Sequence, residues 1–347
     1  MQTLLYYFFK VYVSTGLFFY NKRIKVVGAN NVPKKGAVLF LANHPNGLID
    51  PLLIATNTKR KTHFLVRAAV FNNKIVASFF NQLGMMPIYR IRDGVKQLSK
   101  NEAIFNKCFK ILNQQKSLLI FPEGSHLKKR TIRPLSKGFT RIVFGALEKH
   151  PDLKIQLVPV GITYQNSSKY PGKVAIYYGN PILANDFYNK ENLNESVKNI
   201  KDSVSKQLQE LSVHIPNDEN YDEIENTLNK LNTDYTEVTK VNHSILKNDF
   251  KANTSKPKNF ASVLKIALLI NSIIPYSLWK LFSKKVSEIE FIDTFRFGVC
   301  SVLFPLFYFL QGYIISIITN TSTGIIYTAT SFLLALVYSK TITTLPE

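Results

Sequence analysis

Apolar and polar positions follow several distinct rhythms along this chain, and each predicts a different element. The run Ala37-Val38-Leu39-Phe40-Leu41-Ala42 is apolar throughout and is broken by Pro45-Asn46-Gly47, the pattern of a buried strand followed by a tight turn. Similar runs occur at Gly84 to Ile88, Leu118 to Phe121, Leu157 to Ile162 and Val174 to Tyr178, the last closed by Gly179-Asn180-Pro181 and read as the final strand. Between them, Lys96 to Gln114 and Gly138 to Lys149 are compatible with helices. Strands alternating with helices predict an α/β domain over residues 25–185, a central mixed sheet flanked by helices and long enough to bury a substantial core.

The rhythm changes on either side of that domain. Leu4 to Tyr20 is aromatic and apolar, interrupted by Lys10, and has neither an early basic region nor a small-residue cleavage site. Residues 1–24 therefore read as a retained, membrane-associated helix, with Asn21-Lys22-Arg23-Ile24-Lys25 at the headgroup level. Residues 186–258 turn polar, with Val197, Ile200, Val204, Leu208 and Leu211 at helical spacing. That stretch predicts amphipathic helices, broken at Pro216 to Asn220 and followed by a linker at 253–259. His63, His214 and His243 have no evident metal partner and read as packing or surface histidines.

Residues 259–347 form a membrane region. Phe297 to Ile318 is a 22-residue run without a charge, long enough at about 1.5 Å per residue to cross a hydrocarbon core of roughly 30 Å. A second apolar stretch, Gly324 to Tyr338, pairs with it as a hairpin through Thr319 to Thr323. Residues 260–282, interrupted by Lys265, Pro275 and Lys280, read as an interfacial or re-entrant segment.

Charge sharpens this division. Residues 1–180 hold 28 of the 44 Lys and Arg but only 6 of the 23 Asp and Glu, so the whole formal excess of +21 lies there. Such a field suits nucleic acid or an anionic membrane surface. No zinc-ligand spacing, arginine-rich arm or basic stacking pattern accompanies it, so nucleic acid is set aside and membrane lipids become the expected partner. Two cysteines without pairing spacing fit a reducing compartment. With the abundant lysine before the first span, they place the domain on the cytoplasmic face of a membrane as part of an integral membrane protein.

Chemistry concentrates in Leu39 to Pro51, LFLANHPNGLIDP. His44 at a strand end can act as a base near neutral pH, and Asp50 can fix its tautomer. Six positions of unbroken helix would point the two apart by roughly 240°. The Pro-Gly turn removes that obstacle, with Asp50-Pro51 read as an N-cap and first helical residue. Either residue also suits a purely structural role, as turn or cap. Further along, Arg90 and Arg92 follow one strand, Glu123-Gly124-Ser125 follows another, and Lys128, Lys129, Arg130, Arg133 and Lys137 crowd the next loop.

Taken together, Asn43-His44 to Asp50, Gly84 to Arg90, Phe121-Pro122-Glu123-Gly124 and Val158-Pro159 resemble the four blocks of the glycerolipid acyltransferases, which include lysophosphatidate and glycerol-3-phosphate acyltransferases. The resemblance covers roughly residues 25 to 185. It implies that His44 is a general base supported by Asp50, that Arg90 binds a phosphate, and that Glu123, Gly124 and Ser125 line the acceptor site. It implies transfer of a fatty acyl group from acyl-CoA or acyl-carrier protein to 1-acyl-glycerol-3-phosphate (lysophosphatidate), with glycerol-3-phosphate as the alternative acceptor and an inactive lipid-binding module as the remaining reading. No metal or resident cofactor is required. Two departures stand out: five residues rather than four separate His44 from Asp50, similar to fungal-type glycerol-3-phosphate acyltransferases, and Ser125-His126 replaces the common threonine-arginine continuation.

Overall fold

The computed structural model describes residues 2–89, 99–251, 261–286 and 291–346. In chain order the elements are α1 (Gln2–Tyr20), β1 (Asn21–Val27), β2 (Ala37–Ala42), α2 (Ile49–Asn57), β3 (Thr62–Arg67), α3 (Lys74–Gln82), β4 (Met85–Ile88), α4 (Asn101–Asn113), β5 (Ser117–Ile120), α5 (Gly138–Lys149), β6 (Ile155–Tyr164), β7 (Gly172–Tyr178) and β8 (Ile182–Leu183). The helices α6 (Leu193–Leu211), α7 (Tyr221–Lys230), α8 (Val238–Lys247), α9 (Ala261–Asn271), α10 (Ile273–Ser283), α11 (Ile292–Ile318) and α12 (Thr321–Thr341) follow. Arg90, Arg92 and the linker at 253–259 lie outside the described residues.

Among the described residues eight strands form one sheet, ordered β1-β7-β6-β2-β5-β3-β4, with β8 against the start of β6. Strand β2 runs parallel to both β5 and β6, while β6 meets β7 and β8 antiparallel, so the sheet is mixed as the pattern predicts. Every residue of β2 is buried. Ala37, Leu39 and Leu41 face a core shared with Phe109 of α4, Phe139 of α5 and Ile200 of α6. Val38, Phe40 and Ala42 face Tyr6 and Leu17 of α1 and Leu53 of α2. A strand covered on both sides must be apolar at every position, which is why its signal in the sequence is a run rather than an alternation.

Register places the chemistry. Leu41 lies opposite Ile120 of β5 and Pro159 of β6. The loops that leave β2 and β5 therefore emerge side by side at one edge of the sheet, and β6 continues past that edge to Tyr164. Crevices at the carboxyl ends of parallel strands are where such sheets commonly build sites.

The structure shifts several sequence expectations. Asn21 to Lys25 belong to β1, paired with β7, so the N-terminal helix ends at Tyr20 and the chain enters the sheet directly. Val174 to Tyr178 lies in β7, which is not the last strand, because β8 follows and closes on Gln156 and Leu157. Pro275 does not interrupt its segment. It occupies the first turn of α10, where no N–H is needed, and the break falls at Ser272, across which α9 and α10 bend by 92°.

Among the described residues, α11 with 27 residues and α12 with 21 are long and apolar enough to cross a membrane. At about 1.5 Å per residue each reaches or exceeds a hydrocarbon core of roughly 30 Å. Helix α11 begins about a turn before the charge-free run and includes Asp293 and Arg296. Val213, Tyr221, Leu228, Tyr235 and Val238 form a separate core that covers Ala175 and Tyr177 of β7.

Gly161, in the valine-proline block, shows how tightly α6 seats on the sheet. A Cβ there would overlap the backbone of Leu211 and Ser212 at the end of that helix. Gly161→Ala is expected to lower stability by about 3 kcal/mol, the upper range for overpacking a close contact. Thermal or denaturant unfolding in detergent checks this, and an unchanged midpoint contradicts it.

Candidate active site

Strand β2 ends at Ala42, and the side chain of Asn43 extends its ladder by one more rung. The Asn43 amide donates to the carbonyl of Ile162 at 2.9 Å and accepts from the Ile162 N–H at 2.7 Å. The next residue, His44, is thereby held at a defined point beside β6. The chain then turns through Pro45 to Leu48 and enters α2 at Ile49.

Asp50 sits inside the first turn of α2 rather than at its cap, because the helix begins at Ile49 with Leu48 as the capping residue. Its backbone N–H reaches Asn46 O at 3.3 Å. Pro51 is tolerated because N–H groups of a first turn have no helical acceptor. The Asp50 carboxylate folds back over the turn and is fully buried. Oδ2 accepts from the Asn46 N–H at 2.7 Å and faces His44 Nδ1 at 2.8 Å. Oδ1 accepts from the Tyr164 hydroxyl at 2.6 Å.

This arrangement decides the histidine's tautomer. With Asp50 ionised and already accepting from two other groups, Nδ1 carries the proton facing it, and Nε2 keeps a lone pair. The imidazole stacks on Phe121, ring centres 3.9 Å apart and planes 15° from parallel, and meets His126 edge-on at 5.8 Å. Leu127 N–H donates to His44 O at 3.0 Å, tying the loop after β5 to the histidine turn. The ring is fixed from the side and from below.

Burial pushes the Asp50 carboxyl above the usual carboxylate range, while His44, Tyr164 and the Asn46 amide pull the other way. Tyr164 is itself pushed well above the usual phenol range, by burial and by Asp50. Burial likewise raises Glu123 against the opposing pull of Arg133. A carboxyl held high in the folded state keeps a proton that the unfolded chain has released. Its contribution to stability therefore grows as pH falls through that window and is lost as pH rises.

Glu123 lies within the electrostatic reach of His44, and Glu123 and Ser125 share one partner, Arg133. Arg133 Nε donates to Glu123 Oε2 at 2.6 Å, Nη1 donates to Ser125 Oγ at 2.7 Å, and Nη2 donates to Ser125 O. Gly124 takes φ +77° with open space where a side chain would stand, so its backbone turn requires glycine and the space beside it stays accessible. Arg90 and Arg92 are not among the described residues.

The basic loop is partly structural. Arg130 donates to the carbonyls of Tyr164 and Gln165 at 2.8 and 3.1 Å and lies 3.6 Å over the Tyr235 ring, and Lys129 sits 4.5 Å over Tyr221. These cations fasten α7 and the connection that follows it to the sheet. Lys128 donates to Ser168 Oγ. Cys108, on the buried face of α4, is packed in the core, its thiol pushed up to about 12 by burial.

Tyr164 and Arg133 had no assigned role in the sequence reading. Tyr164 was accessible through strand parity, since Val158, Val160, Ile162 and Tyr164 share the face that packs on α2. Arg133 carried no such signal within its charge run.

Residues 23–163 match the family model described as acyltransferase. Glycerol-3-phosphate O-acyltransferase 1 of Saccharomyces cerevisiae is 30% identical over 115 residues, covering 32% of this chain and 15% of the yeast protein. A probable 1-acyl-sn-glycerol-3-phosphate acyltransferase of Mycoplasma pneumoniae is 34% identical over 145 residues, covering 40% of this chain and 52% of that protein. Among solved structures, the 1-acyl-sn-glycerophosphate acyltransferase of Thermotoga maritima superposes with a TM-score of 0.40 at 18% identity, covering 56% of this chain and 74% of that one. The chain thus spans from under a sixth to about half the length of the two curated relatives.

Removing the Tyr164 hydroxyl takes away a donor that holds Asp50 ionised. In Tyr164→Phe the acid limb of a pH–rate profile is expected to move to higher pH by about one unit, equivalent to about 1.4 kcal/mol. An unmoved limb contradicts that role.

Proposed function

We propose that this chain, whose residues 23–163 match the acyltransferase family model, acts as a glycerolipid acyltransferase, transferring a fatty acyl group from a thioester, acyl-CoA or acyl-carrier protein, to 1-acyl-glycerol-3-phosphate and forming phosphatidate. The carrying observation is the buried Asp50 carboxylate at 2.8 Å from His44 Nδ1.

In this reading, His44 Nε2 takes the proton of the acceptor hydroxyl as its oxygen attacks the thioester carbonyl carbon. Asp50 stabilises the imidazolium that forms, and the imidazolium returns the proton to the departing thiolate as the carbon–sulfur bond breaks. No enzyme-bound acyl intermediate is needed. Glu123, braced by Arg133, and Ser125 shape the acceptor side, and the open space beside Gly124 admits it. Arg90 is assigned to the acceptor phosphate, as a bidentate cation suits that group.

A lipid acceptor fits a site whose turn abuts the start of a membrane hairpin, since the substrate can enter from the bilayer. The catalytic domain is assigned to the cytoplasmic face, where basic residues flanking spans are retained. The second reading, glycerol-3-phosphate as acceptor, is favoured by the five-residue gap between His44 and Asp50 and by the 30% identity to the yeast glycerol-3-phosphate O-acyltransferase.

The test is an acyl-transfer assay on purified membranes offering both acceptors and both thioesters. Wild type is expected to make phosphatidate from lysophosphatidate, and His44→Ala to lose about 10²- to 10⁴-fold in kcat, the usual worth of a positioned base. Transfer to glycerol-3-phosphate alone selects the second reading. Full activity in His44→Ala ends the mechanism.

A further inference from the structure

The histidine turn has a second support, outside the acyltransferase domain. Asn46 Nδ2 donates to Asp293 Oδ2 at 2.9 Å, and Leu48 N–H donates to Thr294 Oγ1 at 3.0 Å. Both acceptors belong to the first turn of α11, the membrane helix. Gly47 lies flush against the same turn: a Cβ there would stand 2.9 Å from Thr294 Oγ1 and 3.1 Å from the Phe291 ring. Phe291 also meets His126 edge-on at 4.9 Å, and His126 in turn meets His44.

Asp293 is firmly held at its own end. It accepts from the Tyr20 hydroxyl of α1 and pairs with Arg296 at 3.5 Å, while Arg296 donates to Ser168 O at 2.8 Å. Asn46 is almost fully buried, and among the described residues its Oδ1 has no hydrogen-bond partner. A buried amide with one end unsatisfied is a net cost, so packing alone would favour an apolar side chain here. What the amide supplies is a donor, to Asp293 Oδ2 at 2.9 Å and, at the longer distance of 3.4 Å, to the carbonyl of Ser167.

Asn46 therefore links two carboxylates. Its side chain binds Asp293 on the membrane helix, and its main-chain N–H binds Asp50, which holds His44. Resting on the reaction proposed above, we infer that Asp293 is a positioning residue for it: the membrane hairpin, through Asp293 and Asn46, sets the geometry of the base. Asp293 does not touch the reacting atoms. It acts by keeping the turn in the one conformation that presents Asp50 to the imidazole.

The test uses full-length protein in lipid nanodiscs, comparing wild type with Asp293→Asn, which retains shape but replaces the charged double acceptor shared by Asn46, Tyr20 and Arg296 with an amide that has one acceptor oxygen. Steady-state kinetics are read together with hydrogen exchange of a peptide covering residues 43–52, with a peptide from α4 as reference. Misplacing a catalytic group by about 1 Å costs on the order of 100-fold in rate. The expected kcat loss is about 10- to 100-fold with both KM values unchanged. Exchange in the turn should rise about tenfold, the effect of losing one hydrogen bond to a charged group, while the reference peptide stays unchanged.

The exchanged pair, Asn46→Asp with Asp293→Asn, again faces one donor with one acceptor and should recover most of both readouts. An unchanged kcat, an unchanged turn, a rise in exchange everywhere, or no recovery in the exchanged pair overturns the inference. If wild type transfers to neither acceptor while the turn still responds to Asp293→Asn, the proposed reaction falls and the docking of the turn on α11 stands.

Discussion

The carboxylate of Asp50 is the constraint on which the site depends. A charge with no solvent exposure is costly unless hydrogen bonds surround it. Here the donors come from three places: His44, which is the second residue after β2; the turn; and the end of β6. None can move without leaving the carboxylate short of a partner, so the energy that stabilises the buried charge also fixes the imidazole. Stability and catalytic geometry are the same set of bonds.

The sheet makes that set possible. Parallel pairing of β2 with β5 and β6 brings their ends to one edge, and the Asn43 amide carries the register one residue further. Phe121, leaving β5, then has the right position to stack on His44. Beyond the sheet, the membrane helix α11 rests against Asn46, Gly47 and Leu48, the middle of the five-residue gap. The longer gap is therefore the part of the turn that faces the hairpin, and the acyltransferase domain and the apolar hairpin meet at the histidine turn.

Much of this was legible in the residues because the strongest signals are local. The apolar run at Ala37 to Ala42, the helix at Gly138 to Lys149 and the charge-free stretch in α11 need no tertiary knowledge. The His44 and Asp50 pair was visible through the Pro-Gly turn between them. Less visible were contacts between distant segments. Asp50 reads as a cap in sequence because nothing there reveals that α2 begins earlier. Glu123 reads as an acceptor-site residue, and nothing local shows that Arg133 reaches it from the crowd of cations in the next loop. Arg130 in the same loop serves to clamp β6 to the connection after α7. Asp293 carries no local sign of its role, since its partner lies 247 residues away.

The most direct test of the account is single-turnover acyl transfer by Asp50→Asn in purified membranes at saturating donor and acceptor. The substitution keeps the side chain's shape but removes the charge that orients and supports the imidazole. The account predicts a fall of about 10²- to 10⁴-fold in the transfer rate, on the scale of general-base catalysis and of losing the correct histidine tautomer, with substrate binding unchanged. A rate within twofold of wild type would show that the buried carboxylate only builds the turn, and would contradict the claim that it organises the base.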